Sequence, residues 1–157
     1  MERIVEVESE DPRLAFEADE IIGLFHFLDT DPAFAPLELA TGDLAIRFVT
    51  PEASGELHAA FFGDPDPTDV MTFPGDPEDD HAGDLAVSPA YAADSAPRHG
   101  TTFAEELTLY LVHGWLHLVG HDDRTEEATR EMRAAEAHLM ERLHAAGKIP
   151  AFTWKAD

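Results

Sequence analysis

The sequence predicts an α+β fold: a small mixed sheet of about four strands with helices packed on it and an apolar helix at its centre. Short apolar runs of strand length occur near residues 3–8, 44–49, 69–73 and 85–88. Longer stretches with apolar residues at helical spacing precede, separate and follow those runs, and most carry capping residues at their ends. With 157 residues and neither an internal repeat nor a linker-like segment, the chain reads as one domain, 1–157.

Ile4, Val5 and Val7 alternate with charges and read as a first strand. Asp11-Pro12 is a helix-start signal, Asp capping and Pro pre-set for the first helical position, so a helix is expected from there to about Leu28. His26 lies on or near its apolar face and reads as structural. Residues 37–40 and 44–49 bracket Thr41-Gly42-Asp43, either as a hairpin or as one strand with a bulge at the glycine. Thr50-Pro51-Glu52 opens a short helix that ends near Gly63. The prolines of 63–67 exclude regular structure there. A strand follows at 69–73, then an acidic loop to Ala82. Asp76, Glu78, Asp79 and Asp80 in that loop lack EF-hand spacing and read as turn-forming. Next come a strand at 85–88, with Asp84 fixing loop geometry before it, and a short helix capped by Ser88 and running to about Ala93. Thr101 or Thr102 caps the central helix, with Glu105 at capping-box distance from Thr102. Residues from Arg124 to about Ala146 form an amphipathic helix closed by Gly147, with Met132, Leu139, Met140 and Leu143 on one side. Phe152 and Trp154 are in position to dock a C-terminal tail.

The chemistry concentrates in His113-Gly114-Trp115-Leu116-His117-Leu118-Val119-Gly120-His121-Asp122-Asp123. Two histidines four apart share a helix face, with Cβ atoms about 6 Å apart, so their imidazoles can converge on one ion. Gly120 can take positive φ, ending the helix and turning the chain back. His121, Asp122 and Asp123 then return towards the pair, and one of them can supply a third ligand. Two nitrogens and an oxygen around an open position is how a catalytic zinc is held. Gly114 stands where a metallopeptidase of the H-E-x-x-H kind has its Glu, so peptidase chemistry is disfavoured.

Composition narrows the setting. A formal net charge of −23 argues against a large non-specific hold on nucleic acid, and no DNA partner is expected. The basic residues Arg124, Arg130, Arg133, Arg142, Lys148 and Lys155 follow the histidine stretch. They are expected to pair with Glu126, Glu127, Glu131, Glu136 and Glu141 along a solvated helix face. The absence of Cys excludes disulfides and a thiolate metal site. No stretch has the length of a membrane span or the core of a signal peptide, so a cytoplasmic protein without a membrane partner is expected.

These motifs resemble those of the YbeY family, bacterial metal-dependent endoribonucleases linked to ribosomal RNA maturation. The family signature reads H-G-x-L-H-L-x-G-Y-D-H, against His113 to Asp123 here. Pro67 to Pro74 is similar to its P-T-D-V-L-S-F-P, and Gly83 to Ser88 to its G-D-I-x-I-S. The resemblance spans residues 67–123 and implies one Zn²⁺ held by His113, His117 and Asp123. Ribosomal RNA and the ribosome are the partners it implies, and single-strand cleavage the activity. It also favours one interrupted strand around Gly42.

Three departures bear on this. Asp123 stands where the family usually has a third His, and a carboxylate serves zinc with similar reach. His121 replaces a Tyr and is the competing third ligand. Phe62 falls where the family usually carries an Arg implicated in cleavage, and no Arg lies between Arg47 and Arg98. A Phe cannot grip a phosphate as a guanidinium does. Asp122 is the candidate to orient a ligand imidazole from behind, and a metal-activated water would be the nucleophile or base. The competing reading is a ribosome-associated module that keeps the metal for folding and has weak or no cleavage.

Overall fold

The computed structural model describes residues 3–34, 42–63 and 69–156. Its elements run β1 (Val5–Ser9), β2 (Leu14–Ala15), α1 (Ala18–Asp29), β3 (Asp43–Phe48), α2 (Pro51–Phe62), β4 (Val70–Pro74), β5 (His81–Val87), α3 (Pro89–His99), α4 (Phe103–Leu118), α5 (Glu126–Ala146) and β6 (Thr153–Trp154). A four-stranded mixed sheet has the order β1-β3-β5-β4. The β1–β3 and β3–β5 pairs are parallel, and β4 runs antiparallel to β5. Among the described residues, no helix is long and apolar enough to cross a membrane.

The expected α+β architecture is present, and α4 is its centre. It packs on β4 and β5 on one side and against α3 and α5 on the others. Its Leu107, Leu111, Val112, Trp115 and Leu116 are fully buried. The helix starts at Thr102, whose hydroxyl accepts from the Glu105 backbone N–H, while the Glu105 carboxylate accepts from that of Thr102. Thr50, Ser88 and Thr125 each cap a helix through the side-chain oxygen.

Gly114 has a packing role beyond any question of chemistry. A Cβ there would come within 2.8 Å of Leu85 Cδ2 and 2.9 Å of Cδ1. Leu85 is 1% exposed on β5 and has nowhere to swing. Gly114→Ala is therefore expected to cost about 1–3 kcal/mol through overpacking, roughly 3–10 °C in Tm. Thermal denaturation by circular dichroism checks this, and an unchanged Tm would mean that α4 and β5 are not in contact as described.

Several local expectations are corrected. Asp11 does not start a helix. Its buried carboxylate accepts from the Arg13 backbone N–H at 3.0 Å and from the guanidinium at 3.0 and 2.8 Å, which together hold its pKa below the usual carboxylate range. Leu14 and Ala15 instead pair antiparallel with Trp154 and Thr153, and α1 begins only at Ala18. β5 begins at His81, four residues earlier than expected, because 81–84 pair with β3 and β4. α3 continues past Ala93 to His99 despite Pro97, and Gly100 at φ 70° stops it. The bulge expected at Gly42 falls at Asp43/Leu44, and residues 37–40, with the 64–67 turn, lie outside the described residues.

Candidate metal centre

His113 and His117 lie on the last two turns of α4, where they line a groove shared with Val70 of the edge strand β4. Beyond them Gly120 adopts φ 108°, and the His121 N–H donates back to the Leu116 carbonyl at 2.9 Å. That closure reverses the chain. The following loop is tied down when the Thr129 hydroxyl donates to the Asp123 carbonyl oxygen at 3.2 Å and Asp122 accepts from the Arg124 N–H at 3.1 Å. Asp123 is thereby returned to the histidines, and one ligand-type atom from each of His113, His117 and Asp123 lies within 4.8 Å of the others.

The two imidazoles meet through their Nε2 atoms, 3.0 Å apart, with rings nearly perpendicular. Lone pairs brought this close need a cation or a proton between them. Two nitrogens about 2.05 Å from a tetrahedral zinc are about 3.3 Å apart, so the observed spacing fits one ion. The donor set, two imidazoles and a carboxylate on a solvent-facing wall, fits zinc with an open coordination position. Nickel or copper would be tolerated by the same atoms.

Behind His113 stands Glu136 of α5. The His113 Nδ1–H donates to Glu136 Oε2 at 2.5 Å, and Arg133 Nη1 donates to Oε1 at 2.9 Å. Glu136 is 4% exposed. Burial alone would raise its pKa, but the hydrogen bonds from His113 and Arg133 outweigh that and hold it below its ordinary value, as a carboxylate. The bond sets the tautomer: His113 Nδ1 carries the proton and Nε2 presents its lone pair to the centre. Asp122, the residue expected behind an imidazole, accepts instead from the Arg124 N–H of its own turn. Nor is Glu136 the solvated pairing partner expected of it. The signal was present in the sequence, because Glu136 shares helical spacing with the buried Met132, Leu139 and Leu143.

His117 is shifted the other way. Burial, then the neighbouring His113, holds its pKa below the ordinary 6.5, against the opposing pull of Asp123. It is thus neutral and available as a ligand near neutral pH. In metal-free protein a depressed His pKa contributes stability fully above 6.5, and that contribution is lost as pH falls through the lower folded value. The depressed Glu136 adds a second loss below 4.5. The Tm of the metal-free protein should therefore fall from about pH 7 to 5, and His117→Gln should flatten that limb. A His117→Gln variant with the wild-type slope would contradict the assignment.

The triad borders two grooves. One, about 570 Å³, is lined by Tyr91, Arg98, Tyr110, Arg133 and the triad itself. The other, about 600 Å³, lies across His117 and is lined by His58, His121 and Arg124 among others. His121 packs its ring edge-on against Phe34 and is outside the ligand group. Five other histidines have structural partners: His26 with the Arg3 carbonyl, His81 with Asp84, His99 with Glu106, His138 with Asp31 and His144 with Glu105. Phe62 is the last residue of α2. Of the basic residues after the histidine stretch, Arg133 pairs on its own helix but Arg142 reaches Asp31 instead.

Comparison with known proteins agrees with these motifs. The sequence model of the family described as Endoribonuclease YbeY matches residues 14–144. A protein named Endoribonuclease YbeY from Nocardia farcinica is 36% identical over 111 residues, covering 63% of this chain and 60% of that protein. One of the same name from Rhodococcus opacus is 32% identical over 139 residues, covering 78% and 73%. The chain thus spans about three fifths of the length of the Nocardia relative. A solution structure of a Thermotoga maritima protein is 23% identical and covers 92% of this chain and 95% of its own, with a TM-score of 0.59, a likeness of fold.

Proposed function

Because this chain belongs to the YbeY family of endoribonucleases, we propose that it is a zinc-dependent endoribonuclease. It would cut single-stranded RNA in ribosomal RNA maturation and ribosome quality control, in the cytoplasm. The observation that carries the reading is the convergence of His113, His117 and Asp123 on the wall of an open groove. These three residues would hold one Zn²⁺. Zinc bound there supplies Lewis acidity, to lower the pKa of a water or to polarise a phosphoryl oxygen.

The chain's own residues then do four things. Glu136 keeps His113 in the tautomer whose Nε2 faces the groove. Burial keeps His117 unprotonated. The turn at Gly120 delivers Asp123 as the oxygen donor. Arg133 offsets the charge of Glu136, so the carboxylate orients His113 without adding a full negative charge beside an incoming phosphate. Gly114 leaves no carboxylate beside His113 to serve as a peptidase base.

Phe62 favours a second reading, a ribosome-associated metal-stabilised module with weak or no cleavage. A single-stranded ribosomal RNA fragment incubated with zinc-loaded protein separates the two. Cleavage by wild type that His117→Ala abolishes is the expected result. Intact RNA with both proteins, alongside co-sedimentation with ribosomal subunits, would favour the module.

A further inference from the structure

The groove extends beyond the triad, and its far walls come from α3 and α4. Tyr91, Ser95 and Arg98 are spaced i, i+4 and i+7 on α3, and Tyr110 lies three residues before His113 on α4. At 1.5 Å per residue that separation is about 4.5 Å along the helix axis, so this wall adjoins the metal centre. All of these residues line the same groove.

Two observations there are unexplained by folding. Tyr91 is 39% exposed, among the few large aromatic side chains left open, and its ring stands against the buried Tyr110 at 6.2 Å and 62°. Arg98, among the described residues, is held by an exposed i,i+4 pair with Asp94 and by Ser95. Such a pair yields readily to a stronger anion.

We propose that this end of the groove is a nucleotide subsite for single-stranded RNA: Tyr91, backed by the buried Tyr110 ring, stacks on a base, and Arg98 holds the adjoining phosphate. A phenol face and a guanidinium side by side match a nucleotide better than a bare anion, which would leave the ring unused, or a peptide, which would not need the charge. The subsite also places an arginine in the groove of a chain that has Phe62 where its family usually has one. It rests on the nuclease reading for the identity of the strand, not for its own geometry.

The test uses zinc-loaded protein and a fluorescein-labelled single-stranded RNA of about ten nucleotides. Anisotropy read before turnover gives affinity, and steady-state cleavage gives KM and kcat. Tyr91→Leu should weaken binding about tenfold and Tyr91→Phe less than about twofold, because the stacking face is kept. Arg98→Gln should weaken binding severalfold and reduce the salt slope by about 0.7, one phosphate contact. In all of them the loss should fall on KM rather than kcat. The subsite is overturned if Tyr91→Leu binds like wild type, if Tyr91→Phe is as weak as Tyr91→Leu, or if wild type binds no RNA. Wild type that binds with the expected pattern, yet cleaves no better than His117→Ala, would keep the subsite and overturn the nuclease reading.

Discussion

Truncating either helix histidine is expected to strip the metal. Structural zinc in zinc-finger peptides is held by roughly 10–16 kcal/mol of apparent binding free energy, and on that scale one of three or four ligands accounts for about 3–5 kcal/mol. His113→Ala or His117→Ala should therefore bind zinc at least about a hundredfold more weakly and retain almost none after dialysis against a mild chelator. RNA cleavage should vanish with it. Asp123→Ala should behave the same way, whereas His121→Ala should keep its zinc, because His121 packs on Phe34 and lies outside the ligand group. Metal content per chain by plasma mass spectrometry reads all four variants. Full retention in the His113→Ala/His117→Ala double variant would remove the site altogether.

The second large effect is expected at Glu136, a residue that need touch neither metal nor substrate. Glu136→Ala leaves the His113 Nδ1–H without its acceptor, in a position where little solvent can replace it, and frees the ring to rotate. Removal of such an orienting carboxylate typically lowers metal affinity or activity by about 10–100-fold. The unpaired N–H adds about 1–3 kcal/mol of lost stability. Glu136→Gln keeps an acceptor for His113 and should lose less on both counts. Chelator competition with zinc, alongside thermal denaturation of the metal-free forms, separates the two contributions. A Glu136→Ala protein that binds zinc like wild type would mean that His113 is oriented by something else.

Much of this was legible from neighbouring residues. The Thr102–Glu105 box, the turn at Gly120 and the stop at Gly147 are encoded within a few positions, and each is where local chemistry places it. The nearness of Asp123 to the histidine pair was legible in the same way, since the turn at Gly120 brings the chain back towards them. What escaped was set by distant partners. Asp11-Pro12 has the form of a helix start, but Leu14 pairs with Trp154, 140 positions away, and that pairing holds the segment extended. His81 to Asp84 carry no strand pattern of their own and join β5 because β3 and β4 lie on either side. Glu136 reads as one of many surface glutamates until its place on the buried stripe of α5 is noticed, 23 residues from the imidazole it holds.

Anomalous diffraction from a zinc-soaked crystal, collected on both sides of the zinc absorption edge, tests the central claim most directly. One strong peak is expected at bonding distance, about 2.0–2.2 Å, from His113 Nε2, His117 Nε2 and an Asp123 oxygen. A peak bound through His121, or no peak between the two α4 histidines, would contradict it.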